Sequence, residues 1–315
     1  MPLRVCLVGA GHMGRIHAEK LAAMKDVTLV CVVDADLGRA TETARRYGCV
    51  EADRCSRALE DGLEAAVIAS PTETHYAVAR SMLENGVHVF IEKPIAAFEA
   101  EARELIALAR RKGLVLQVGH LERFSPPFRR AQRAIRDPLL IEARRVSPFT
   151  GRSTDIDVVH DLMIHDIDLV LSIVKRDIVR IDARGAPCLT QMTDAARARI
   201  DFEGGCIASL VASRVSPTRE RVFTVVEEDG YFCCDLAAGS MISARKDENG
   251  AGRRSTYKAG RPDPVRDELK AFVRAIRLGT DATVSGEDGL AALIVANAIQ
   301  EKIEQHLAQS ASGRP

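Results

Sequence analysis

The stretch LRVCLVGAGHMGRIHA, residues 3–18, decides the fold. Leu3–Val8 is a short apolar, largely unalternating run, the pattern of a strand buried on both faces. It stops at Gly9-Ala10-Gly11-His12-Met13-Gly14, and apolar residues then recur at helical spacing from Gly14 to Met24. A strand turning through three glycines into a helix N-terminus makes an anion site. The first glycine permits the tight turn, the second lets the backbone approach a pyrophosphate, and the third allows helix and strand to pack closely. Asp34 closes the next apolar run, Val27–Val33, about 20 residues past Gly14. That is the offset at which an acid meets a ribose 2′-hydroxyl.

Working outward, the same alternation continues to about residue 120. A polar, Ala-rich helix is expected over Leu37–Tyr47, strands at Ala65–Ala69, Val87–Ile91 and Val115–Val118, and helices over Thr74–Glu84 and Phe98–Lys112. The last two helices end at Gly86 and Gly113, where a left-handed cap costs least. Strand and helix repeated in this way give a doubly wound parallel α/β sheet.

Beyond residue 120 the character changes. Helices are expected at Ser125–Arg136 and Val158–Val174, followed by period-two strands at Leu140–Val146, Ile178–Arg184, Arg197–Phe202, Ile207–Ser213, Phe223–Glu227 and Tyr231–Asp235. Asp229-Gly230 is a hairpin signal, since that pair suits the positive φ of a tight turn. Two amphipathic helices, Asp267–Leu278 and Glu287–Leu307, close the chain. The expected organisation is a Rossmann domain over 1–120, then an α+β domain over 121–315 with a mostly antiparallel open sheet.

Composition narrows the function. Lys+Arg and Asp+Glu both number 44, so no global field draws in nucleic acid or an anionic membrane. Only 4% of residues are aromatic and none is Trp, which argues against a stacking platform for single strands. No apolar stretch is long enough to span a bilayer, and the start lacks a signal-peptide core. Eight cysteines without Cys-x-x-Cys spacing point to reduced thiols, a cytoplasmic setting and no structural zinc. A small-molecule substrate is expected.

Two further motifs carry chemistry. Glu92-Lys93-Pro94 lies at the carboxyl end of the Val87–Ile91 strand, where ligands bind in such sheets. A lysine there can stabilise a developing alkoxide or, when desolvated, exchange a proton. In the second domain stands His160-Asp161-Leu162-Met163-Ile164-His165-Asp166-Ile167-Asp168. On a helix Asp161 and His165 are i, i+4 neighbours, an imidazole and a carboxylate set up for acid/base work. A metal site built from His160, Asp161, His165 and Asp168 competes with this reading, but His160 and His165 align poorly on one helix, so no metal is expected.

Together these segments resemble the Gfo/Idh/MocA family of nicotinamide-dependent sugar and polyol oxidoreductases. The resemblance spans nearly the whole chain: Gly9–Gly14 with Ile16-His17-Ala18, Ser70-Pro71-Thr72 with His75, Glu92-Lys93-Pro94, Arg123-Phe124, and Asp161 through Asp168. It implies catalysis by Lys93 with Asp161 and His165. It implies a cofactor running along Gly9, Gly11, His12, Met13, Gly14, Asp34, Ser70, Pro71, Thr72, His75, Glu92 and Lys93. Asp34 favours NAD over NADP, because a carboxylate accepts from a diol and repels a 2′-phosphate; Arg39 nearby pulls the other way. A homodimer or homotetramer is implied, with the open sheet at the contact.

A narrower resemblance rests on Gly119–Phe124, Pro148-Phe149, Asp157-Val158-Val159 and Asp161–Leu169. It is to the members of that family that oxidise C3 of UDP-N-acetylglucosamine on the route to diamino sugars such as those of lipid A. His160 departs from it, standing where an apolar residue is expected. For this substrate Lys93, Asp161 and His165 would be joined by Arg123 and Arg152, and Arg144 and Arg145 complete a run of guanidiniums suited to a diphosphate. The alternatives are a free polyol or sugar such as myo-inositol, a non-catalytic NAD-binding regulator and, least expected, a metal-dependent hydrolase.

Overall fold

The computed structural model describes residues 1–55, 59, 62–151, 154–246 and 250–312, and the chain divides into two compact units. The first joins Met1–Leu121 to Asp263–Leu290; the second joins Glu122–Pro262 to the chain from Ala291 onward.

The first unit runs β1 (Leu3–Val8), α1 (His12–Ala22), β2 (Val27–Val33), α2 (Leu37–Tyr47), β3 (Val50–Ala52), β4 (Ala65–Ile68), α3 (Thr72–Glu84), β5 (His88–Glu92), α4 (Glu99–Lys112) and β6 (Leu116–Gly119). The six strands pair in the order β3-β2-β1-β4-β5-β6, and every pairing is parallel. The order reverses between β1 and β4, which opens a crevice at their carboxyl ends. β4 and β6 are buried along their whole length, which is why their sequences show no alternation. Gly113 caps α4 in the left-handed conformation, as expected, whereas α3 ends on Asn85 with Gly86 following at positive φ.

One helix returns to this unit from far along the chain. Reading the sequence with a single boundary assigns all of 121–315 to the second domain, but α7 (Pro264–Leu278) packs in the first. Its Leu269, Phe272 and Val273 share a core with Leu7, Val67 and Phe90, and the Phe272 ring meets Phe90 edge-on at 5.9 Å. These positions fall at i, i+3 and i+4, one stripe of a helix that needs an apolar partner.

The second unit holds α5 (Pro126–Ala134), β7 (Leu140–Val146), α6 (Ile164–Ile173), β8 (Ile178–Ala186), β9 (Ala195–Phe202), β10 (Ile207–Ser213), β11 (Glu220–Val226), β12 (Gly230–Asp235), β13 (Ser240–Lys246), β14 (Gly252–Lys258) and most of α8 (Gly286–Ser312). Eight strands pair as β14-β13-β12-β11-β7-β10-β9-β8, all antiparallel except β7 with β10. Three details depart from the sequence reading. The helix expected over Val158–Val174 begins as a π turn, Val159–Met163, before becoming α-helical. β13 and β14 were not expected, because SMISARK and GRRSTYK lack a buried apolar face. The β11–β12 hairpin forms, but Gly230 keeps an ordinary φ; glycine suits it because a Cβ would lie 3.1 Å from Glu227 and 3.4 Å from Arg245.

Candidate active site

The glycine turn has the shape an anion needs. Gly9 sits at φ +94°, and a Cβ there would meet the Ala69 and Ser70 backbone at 2.6 Å. A Cβ on Gly14 would fall 1.8 Å from the Gly9 carbonyl oxygen, so α1 can approach the turn this closely only with glycine. Gly11 has open space where its side chain would be. No side chain caps α1 and no acid occupies its first turn, leaving the amides of His12, Met13 and Gly14 for a ligand. These features fit a dinucleotide pyrophosphate.

Asp34 follows β2 and is buried. Its carboxylate accepts from the Ala10 amide at 2.7 Å and the Asp36 amide at 2.8 Å, which ties the glycine turn to the end of β2. Arg39 Nη2 lies 3.3 Å from Oδ1. A carboxylate has about four lone-pair positions, so one acceptor site remains for a ribose hydroxyl. Arg39 is half-exposed beside it and also pairs with Asp36 at 3.2 Å.

At the ends of β4 and β5 the backbone itself is organised by side chains. Ser70 Oγ shares a hydrogen bond with Thr74 Oγ1 at 2.7 Å, Pro71 occupies the N-cap of α3, and Thr72 opens that helix. His75 is buried, with Nδ1 2.9 Å from the Pro94 carbonyl and Nε2 2.9 Å from the Ser70 carbonyl. It therefore joins the two loops that the family resemblance sets along the cofactor. Burial holds the His75 imidazole below its ordinary value, against the opposing pull of the two carbonyls.

Glu92 is buried at the end of β5 and pairs with His17 Nε2 at 2.7 Å. Burial raises its carboxyl, and the contact with His17 outweighs this to hold it below the ordinary range. Gly119 leaves the room Glu92 needs, since a Cβ there would lie 3.1 Å from Oε2. Lys93, partly buried, follows directly. Glu268 of α7 completes a buried group in which one ligand-capable atom from each of His17, Glu92 and Glu268 lies within 4.8 Å of the others.

In the second unit Asp161 lies in the π turn and His165 in the first turn of α6, both partly buried. Residues flanking His165 anchor the helix. Asp166 receives Arg145 Nε at 3.0 Å and Nη2 at 2.8 Å, and Arg145 Nη1 reaches Glu122 at 2.8 Å. Asp168 receives Arg123 in the same forked way, at 2.7 and 2.8 Å. Burial raises the Asp166 carboxyl, and Arg145, whose own proton is held more firmly by its two carboxylates, pulls against it. Pairing of this kind fixes the face that α6 presents.

Three of the four arginines singled out for a diphosphate are thus engaged within the protein. Arg123 is bound to Asp168, Arg145 is buried between Asp166 and Glu122, and Arg144 leaves the other face of β7 to pair with Glu220 at 2.8 Å. Arg152 lies outside the described residues. His160 turns to Asp157 at 2.8 Å and to Asn297 at 2.9 Å, so it is not directed into a cluster with His165, and Asp168 is held by Arg123. Sequence spacing could not give Glu122, Arg219 or Arg221, because only the pairing of β11 with β7 brings Arg221 opposite Arg145. A cavity of about 280 Å3 opens there, lined by Asp161, Phe149, Arg219 and Arg221 among others.

Comparison with known proteins places both parts of the chain in one family. Residues 3–120 match the oxidoreductase family with the NAD-binding Rossmann fold, GFO_IDH_MocA, and residues 134–233 match the GFO/IDH/MocA C-terminal domain. UDP-N-acetylglucosamine 3-dehydrogenase of Acidithiobacillus ferrooxidans is 33% identical over 97% of this chain and 98% of its own. Its crystal structure superposes with a TM-score of 0.92, covering 97% of this chain and 99% of that one at 32% identity. Inositol 2-dehydrogenase 1 of Saccharopolyspora erythraea is 30% identical over 95% of this chain and 93% of its own. With its glycine turn, its acid after β2 and both domain matches in place, the chain belongs to the Gfo/Idh/MocA family of NAD-binding oxidoreductases.

Proposed function

We propose that the protein oxidises a sugar hydroxyl to a ketone with NAD, at C3 of UDP-N-acetylglucosamine. The observation that carries this reading is the likeness along 97% of the chain to an enzyme named for that reaction. Bound NAD supplies the two-electron acceptor for the carbon being oxidised. The amides that open α1 hold its pyrophosphate and Asp34 its adenosine ribose. His165 takes the hydroxyl proton, Asp161 favours the imidazolium that results, and Lys93 stabilises the alkoxide or itself accepts the proton.

Spectrophotometry at the reduced-nicotinamide band tests this directly, with NAD, UDP-N-acetylglucosamine and an aminotransferase to remove the ketone. Absorbance rising with NAD and staying flat with NADP is the expected result. A flat trace with the nucleotide sugar and a rise with myo-inositol would replace this reading by a second one, oxidation of a free polyol, which the inositol dehydrogenase relatives favour. Bound NAD with no reduction by any sugar would revive the regulator.

The finer reading places the enzyme in the cytoplasm, on the route to lipid A diamino sugars, as a homodimer or homotetramer. Light scattering at a single-chain mass would remove that part. Among the described residues no helix is long and apolar enough to cross a membrane.

A further inference from the structure

We propose that Arg219 and Arg221, with Phe149 at the rim, form the subsite that holds the diphosphate and base of a nucleoside diphosphate. This rests on the nucleotide-sugar reading above and names the residues that would give it its specificity. Arg219 immediately precedes β11 and Arg221 is its second residue, so the two side chains leave the strand on one face. That face is already crowded with positive charge, because Arg221 is paired across the strands with Arg145. Like charges set opposite one another destabilise a sheet unless anions intervene. Asp166 and Glu122 are those anions, but Arg145 holds both at 2.8 Å, whereas Arg221 reaches Glu122 only at 3.4 Å. Burial and the neighbouring Arg145 both work against the Arg221 cation. Arg219 is exposed and has no carboxylate partner among the described residues.

Both guanidiniums line the cavity that also contains Asp161, the proposed partner of His165, so an anion held there would belong to the molecule whose hydroxyl His165 serves. Two further lining guanidiniums are already held: Arg145 by Asp166 and Glu122, and Arg214 by Asp194 at 2.7 Å and by the Ile156 carbonyl. Two planar forks side by side match a diphosphate better than a monoanion. The Phe149 ring, 39% exposed on the same cavity wall, offers a base an apolar face on which to stack.

Calorimetry with UDP, alongside thermal melting of each variant, tests the assignment. Wild type should bind UDP. R219Q-R221Q should bind it at least about tenfold more weakly, and R144Q, altered on the opposite face, should bind it as wild type does. F149A should weaken UDP more than inorganic pyrophosphate. If the double variant melts as an unfolded chain, R219Q alone decides, since Arg219 is exposed and supports no ion pair among the described residues. Wild-type UDP affinity in a folded R219Q-R221Q or R219Q overturns the subsite and leaves the reaction standing. A wild-type protein that binds no UDP and oxidises only free polyols overturns the nucleotide-sugar reading, and the subsite with it.

Discussion

The two units build their binding surfaces from different materials. In the first, the backbone does the work: glycines open a turn, helix amides wait for an anion, and His75 and Asp34 hold the loops by bonding to main-chain groups. In the second, side-chain ion pairs do it: Arg145 with Asp166 and Glu122, Arg123 with Asp168, Arg214 with Asp194. A backbone-built site leaves a readable trace, since a glycine is required where a Cβ has no room. A side-chain-built site does not, because an arginine in a sequence says nothing about which carboxylate already holds it.

The sharpest contrast comes from replacing one residue of chemistry and leaving the scaffolds alone. His165→Ala should lower turnover by about 10²–10⁴-fold, while NAD titration shows unchanged affinity. Near-normal turnover in this variant, with Lys93→Ala inactive, would transfer the proton to Lys93. The ion-pair scaffold is probed next. Arg145→Met strands Asp166 and Glu122 in the interior, and urea unfolding should show a loss of about 3–5 kcal/mol. A loss below about 1 kcal/mol would mean that α6 does not depend on this clamp.

Asp194 gives the second unit a pH signature. Burial works against its charge, but the Thr190, Leu189 and Cys188 amides and Arg214 outweigh this and hold the carboxyl well below the ordinary range. Its folded value lies below its unfolded one. The stabilisation is therefore complete above the unfolded value, about 3.9, and disappears as pH falls through the folded value. Asp194→Asn should melt lower than wild type at pH 7, by about 1.5–3 kcal/mol, and the gap should close as the solution is acidified. A gap that stays constant with pH would assign the loss to packing.

The smaller effects test the backbone side. Asp34→Ala frees Arg39 from its carboxylate, and the ratio of NAD to NADP affinity should fall about tenfold. An unchanged ratio would show that Arg39 is out of reach of the cofactor. Smallest of all, Arg110→Ala removes an exposed pair with Glu287 and should change stability by less than about 1 kcal/mol.

The same division explains what could be read in advance. Five of the six parallel strands, the glycine turn and Asp34 were legible because apolar runs, glycines and an acid at a fixed offset have direct physical causes; β3, three residues long with one buried side chain, gives no such run. Lys93, Asp161 and His165 were legible as residue types in a pattern. The π turn at Val159–Met163 was not, because a π and an α turn share the same apolar spacing over so few residues. β13 and β14 were missed because a mostly polar strand gives no alternation to detect. Arg123 and Arg145 were legible as arginines but not as engaged ones, and Arg219 and Arg221 were passed over for the same reason.

The return of α7 to the first unit also fixes an order of events during synthesis. Phe272 and Leu269 belong to the same core as Phe90, yet the ribosome makes them more than a whole domain later. At roughly 5–20 residues per second, the parallel sheet is displayed on the nascent chain for roughly ten to thirty seconds before its last core side chains arrive. During that interval α1 and α2 already share the core with β1 and β5, but the part that Leu269, Phe272 and Val273 will cover stays open, and this is the stage at which a chaperone would have most to hold.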